Sequence, residues 1–241
     1  METAFSGVSS GRQILARSAI PLVVAPTGTM ANNGGITFGT AALSIYTSCY
    51  LLLPAGAIAA GVPAAAAWLF AQMSSTTVGT VFNNVYSTTG VPSIPASPTA
   101  FVTTGPGAYT GLTGAQNGPQ ITLPANAMGP NGRVHISAHA SNNNSAGTKA
   151  LIVAFGATTV INISDTTNVS NWVAREISNR GAAGAQITAP AATSGPITTG
   201  STVLFPAIDT TQPVIIGLNF NNNTATDWAC LESWLLELIP G

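Results

Sequence analysis

Two histidines, His135 and His139, stand four residues apart in the run RVHISAHA. On a strand, that spacing points both rings to one face, with Cα atoms roughly 13 Å apart. Imidazole is a good ligand for zinc, nickel or iron, but at that separation one ion cannot take both rings from one chain. A ring of His135, or of His139, drawn from three copies is the workable metal geometry. A polar or interface stripe is the simpler reading, so no metal and no cofactor are assigned. The carboxylates Asp165, Glu176, Asp209, Asp227, Glu232 and Glu237 are the candidates for glycoside cleavage, which needs two facing each other across a bond. Their spacing selects no pair. No H-E-x-x-H motif occurs, and GPGAYTG at 105–111 lacks the lysine of a phosphate loop. The chain is read as non-enzymatic.

Binding residues are easier to nominate. The triplets Asn142, Asn143, Asn144 and Asn221, Asn222, Asn223 are expected at loop tips, where a rigid scaffold carries its specificity. Neutral amides offer hydrogen bonds without charge, which suits a sugar. Trp172, Trp228 and Trp234 are candidates for stacking on a glycan, with core or subunit packing as the plainer role. Arg175, Glu176 and Arg180 form the densest charged group. On a strand, Arg175 and Glu176 face opposite ways, and a structural role is expected for them ahead of ligand contact.

Few elements are available to position these groups by charge. Of 241 residues, 46% are apolar and 5% charged, with six basic and seven acidic residues. From Arg17 to Arg133 no Asp, Glu, Lys, Arg or His intervenes. Too few cations are present to neutralise a nucleic-acid backbone or to hold an anionic membrane. High apolar content argues against disorder. The N-terminus does not read as a secretory signal, so folding in the cytosol of the producing cell is expected. Cys49 and Cys230 are expected as buried thiols. The uncharged stretch Tyr50–Ala71 is long enough to span a membrane. Pro54, Gly56, Gly61 and Pro63 break it into two short buried elements joined by a turn.

Strand-and-turn grammar runs throughout. Residues 1–20 read as an arm, 21–95 as a small β module and 96–118 as a Pro/Gly-rich linker. In residues 119–241, candidate strands are Gln120–Pro124, Arg133–Ala140, Thr148–Phe155, Thr158–Ile163, Trp172–Asn179, Ala185–Thr188, Thr202–Pro206, Val214–Asn221 and Trp228–Ile239. That density predicts a β-sandwich or jelly roll. Val214, Ile216, Leu218 and Phe220 share one face; so do Val134, Ile136, Ala138 and Ala140. The last segment is ambiguous, because Trp228, Leu231, Trp234, Leu235 and Leu238 also fit a helical stripe. A strand with two apolar faces is favoured.

Several runs together resemble structural proteins of tailed bacteriophages. These are IPLVVAPTGTMANNGG, CYLLLPAGAIAAG and AQMSSTTVGTVFNNVY, then LPANAMGPNGRVHISA, NNSAGTKALIVAFGATT, REISNRGAAGAQ and LESWLLELIP. The resemblance spans about residues 20–90 and 119–241. It implies an all-β, homotrimeric virion protein of the tail-fibre or head-fibre type, without an enzymatic signature. The expected function is a short fibre or knob that contributes to host-surface adsorption and touches a surface glycan. Capsid decoration is the alternative and a glycan-cleaving tailspike a minor one. Other virion proteins would be met through the N-terminal arm. Neither nucleic acid nor membrane is an expected partner.

Overall fold

The computed structural model describes residues 11–18, 20–30, 36–38, 48–54, 67–74, 77–82, 107–191 and 203–241. They form an all-β protein with no helix among the described residues. The first strands are β1 (Gln13–Ser18), β2 (Leu22–Val24), β3 (Gly28–Met30), β4 (Ile36–Phe38), β5 (Ser48–Leu53), β6 (Ala67–Ser74), β7 (Thr77–Phe82) and β8 (Gly107–Tyr109). There follow β9 (Gly114–Leu123), β10 (Arg133–Asn142), β11 (Lys149–Phe155), β12 (Thr158–Asp165) and β13 (Ser170–Asn179). The last are β14 (Gln186–Ile187), β15 (Val214–Asn222) and β16 (Ala229–Ile239).

One sheet has the order β12-β11-β15-β9. The other runs β14-β13-β10-β16-β2-β5-β6-β7-β4-β3-β8, and β1 also pairs with β16. Four antiparallel pairs nest inside one another: β1 with β16, β9 with β15, β10 with β13 and β11 with β12. Side-chain alternation drives this arrangement. Val134, Ile136 and Ala138 of β10 face Leu151, Val153 and Phe155 of β11 and Ile216, Leu218 and Phe220 of β15 within one core. Residues from β1, β2 and β5 join the same core.

The stretch read as an arm contains β1. Its Leu15 and Ala16 are buried, and its register runs from Gln13 opposite Leu238 to Ser18 opposite Trp234. Part of the stretch read as a linker is also strand: β8 pairs with β3, and β9 starts at Gly114, six residues before the expected Gln120. Gly114 to Asn117 show no apolar alternation, yet they pair with Asn219–Asn222.

The closing segment is a strand, and its helix-like spacing has a local cause. Ser233 pairs with His139 and Leu231 with Ala140, which leaves Glu232 as an extra residue. That bulge shifts the alternation by one position, so Leu231, Trp234, Leu236 and Leu238 all point inward and are buried. The apolar stretch Tyr50–Ala71 contributes the antiparallel neighbours β5 and β6; residues 55–66 lie outside those described. No described helix is long and apolar enough to cross a membrane.

Strand β5 brings an alkaline liability. Burial, with a smaller push from the Glu232 charge, raises the Cys49 thiol far above its ordinary 9.0. Burial lifts Tyr50 to about 12 and raises Tyr109 further. Each group keeps its proton in the folded chain after the unfolded chain has lost it. Stability therefore falls as pH rises past the unfolded values, 9.0 for the thiol and 10.0 for the phenols. Lys149 and Arg175, both lowered by burial, give the opposite slope, but they are two groups against three. Urea unfolding from pH 8 to 11 checks this; a flat or rising midpoint contradicts it.

Candidate functional site

The asparagine triplets lie at one end of the sandwich, where β10, β11, β12 and β15 meet their loops. Asn144 and Asn223 are exposed, Asn143 and Asn221 are half-buried, and Asn142 and Asn222 are buried. Asn144 and Asn223 are thus the most exposed members. The inner ones surround Lys149, the single lysine of the chain, whose side chain is 1% exposed. Its position follows from alternation: Lys149, Leu151, Val153 and Phe155 occupy the inward face of β11. Asn222 and Asp165 flank it on the neighbouring strands.

The Lys149 Nζ donates to Ser145 Oγ at 2.7 Å and to the Thr166 carbonyl at 2.8 Å. Asp227 Oδ2 lies 3.8 Å away. Ser145 Oγ donates to that same Oδ2 at 2.8 Å, and Asn143 Nδ2 donates to Oδ1 at 2.8 Å. Asn143 Oδ1 in turn accepts the Trp228 amide at 3.0 Å. Asn222 Nδ2 donates to the Asp227 carbonyl at 3.4 Å. Asp165 accepts from Asn168 at 3.0 Å and from Asn171. Burial lowers the Lys149 pKa, while the charges of Asp227 and Asp165 oppose that shift. Gly147 is needed here, because a Cβ would strike the Asp227 carboxylate and Thr224.

This arrangement is a polar latch under the loops. A cavity lined by Asn142, Lys149, Asp165 and Asn171 holds about 10 Å³, room for roughly one water, so no sugar enters it. Asn144 and Asn223 are the exposed members of the triplets at this end. Nearby, Thr27 N and Oγ1 both donate to the Ala225 carbonyl, and Thr27 Oγ1 accepts the Gly111 amide. These bonds fix the 223–228 loop against the N-terminal strands. Asn143→Ala is expected to cost about 1–3 kcal/mol, since it strips hydrogen bonds from a buried carboxylate and a backbone amide. Asn144→Ala is expected to be neutral within about 0.5 kcal/mol, as for exposed surface changes. Thermal unfolding of the two variants tests the contrast.

The other sequence candidates are dispersed. His135 and His139 share the outer face of β10, both half-buried. His135 Nδ1 lies 3.2 Å from Glu237 Oε2, and His139 Nε2 lies 2.8 Å from Ser170 Oγ. No group of three metal-ligating side chains occurs among the described residues. Arg175 points inward and is buried, while Glu176 points outward and meets Arg133 at 3.2 Å. Trp228 and Trp234 are buried; Trp172 is 62% exposed beside His139. The described carboxylates all have polar neighbours: Asp209 accepts from Thr211, Glu232 from Ser141, and Glu237 meets Arg12 at 3.5 Å. Sequence reasoning passed over Lys149, Ser145 and Asp227 as a unit. An inward lysine in KALIVAF was the available signal.

No family model, curated protein or solved structure matches this chain.

Proposed function

We propose that this chain is a structural protein of a tailed-bacteriophage virion, a homotrimeric short fibre or knob that contributes to host-surface adsorption. The observation that carries the reading is the nested pairing closed by β1 and β16. Counting β1, β9, β10, β11, β12, β13, β15 and β16 in chain order, first pairs with last, second with seventh, third with sixth, and fourth with fifth. One long hairpin ribbon rolled into two sheets has this order, which supports a jelly roll. On this reading, the strands from β2 to β8 are inserted between its first and second strands.

Trimerisation is supported by an asymmetry between the two outer faces. Outward positions of the smaller sheet are Gln120, Thr122, Ile152, Ala154, Asn162, Ser164, Ile215 and Asn219, with no ionisable group. The larger sheet carries Arg133, His135, Glu176 and Glu237 outward. Interface cores are depleted in charge, so the neutral face suits burial against copies of the chain. Attachment to other virion proteins is assigned to the N-terminal stretch ahead of β1. The exposed Asn144 and Asn223 are the adsorption contacts at the latch end.

The test is retention of labelled protein on bacterial cells, with the Asn144→Ala/Asn223→Ala double variant alongside. Saturable binding weakened by the double variant is expected. Retention on empty phage capsids but not on cells would replace this reading with capsid decoration. Release of reducing sugar would replace it with a cleaving spike.

A further inference from the structure

At the β14 edge of the larger sheet, the surface dips into an open hollow of about 310 Å³. Arg180, Gly184, Ala185, Gln186, Phe205 and Ala207 line it, and its size falls at the lower end of small-molecule sites. Its walls are held in place by the buried Gln186 side chain. Nε2 donates to Asn179 Oδ1 at 2.6 Å and to the Ala183 carbonyl at 2.7 Å, while Oε1 accepts the Ile208 amide at 2.7 Å. Thr210 Oγ1 also donates to the Ala183 carbonyl, at 2.9 Å. One amide thus joins the 180–185 turn to the 205–208 segment. Ala207 is held at φ 55°, a left-handed conformation that costs a residue with a Cβ roughly 1–2 kcal/mol. Such strain persists where the surroundings over-determine it, and here Gln186 bonds the next residue.

The chemistry of the lining is specific. Phe205 is 57% exposed and offers a flat apolar ring. Arg180 is exposed and faces no carboxylate among the described residues, whereas Arg12, Arg133 and Lys149 each meet one. An aromatic face beside an unpaired guanidinium selects a ring with apolar C–H bonds and one negative charge. We propose that this hollow binds an acidic sugar unit, its ring face on Phe205 and its carboxylate in the fork of Arg180. The inference goes beyond the adsorption reading: by the β10–β13 register the hollow lies at the Arg133 end of the sheet, opposite the Asn142 end that carries Asn144 and Asn223, so it is a separate ligand contact.

Calorimetric titration of the full chain with galacturonate, glucuronate and sialate oligosaccharides, maltotriose and acetate tests it. At least one acidic oligosaccharide is expected to bind, with maltotriose and acetate roughly ten-fold weaker or worse. Arg180→Gln and Phe205→Ala are each expected to weaken that binding roughly ten-fold, the scale of one charge-assisted contact. Both side chains are exposed, so unchanged melting confirms that folding is intact. Failure of every acidic oligosaccharide, equal binding of maltotriose, or indifference to both substitutions overturns the inference. Cell adsorption is measured in parallel. Adsorption without acidic-sugar binding sinks the hollow and leaves the adsorption reading, and the reverse result sinks the adsorption reading alone.

Discussion

Lys149→Met is expected to remove about 3–5 kcal/mol of stability, the cost of breaking a buried ion pair from one side. The methylene stem is kept, so the filling of this inward position of β11 changes little. What disappears is the ammonium that donates to Ser145 and Thr166 and faces Asp227. Two carboxylates, Asp227 and Asp165, then remain buried with no cation between them. For a domain of ordinary stability, roughly 5–15 kcal/mol, this is a large fraction. Lys149→Arg should not restore it, because the adjoining cavity of about 10 Å³ cannot take the larger guanidinium. Lys149→Met combined with Asp227→Asn should lose less than the two single losses added together, as expected for groups that interact directly. Urea unfolding of the four variants measures this. A loss below about 1 kcal/mol in Lys149→Met, typical of an exposed pair, would mean that the latch contributes nothing.

Removing residues 1–18 is expected to abolish soluble expression. The deletion takes away β1, and with it Leu15 and Ala16 of the core. It also leaves the Trp234–Leu238 side of β16 without its partner strand. An unpaired, apolar strand edge is a template for aggregation. If residues 13–18 were an arm lying on the surface, the truncated chain would stay monodisperse and melt at the unaltered temperature. Gel filtration and thermal unfolding of the truncated chain separate the two outcomes.

The contrast between β1 and β11 shows what was legible in the sequence. KALIVAF alternates cleanly, and both its strand and its inward lysine follow from period two. QILARS is short, and its partner lies more than 200 residues later, so nothing local marks it as part of the sheet. The C-terminal strand was readable in existence but ambiguous in type, since the bulge at Glu232 gives it helical spacing. The asparagine triplets were expected at loop tips, but Asn142, Asn221 and Asn222 close strands β10 and β15, and only Asn143, Asn144 and Asn223 lie in loops. The inner amides are drawn down by Lys149 and Asp227, which no motif connects to them. The Phe205–Arg180 hollow was invisible for a similar reason. Its walls are 25 positions apart, joined by the Thr188–Leu204 bridge and one glutamine side chain.

The native mass of the purified chain, by light scattering after gel filtration, tests the central claim most directly. The proposed homotrimer, which the neutral outer face of the smaller sheet supports, predicts three 24.2-kDa chains per particle. A clean monomer at micromolar concentration would contradict the proposed trimer and leave that neutral face uncovered in the isolated chain.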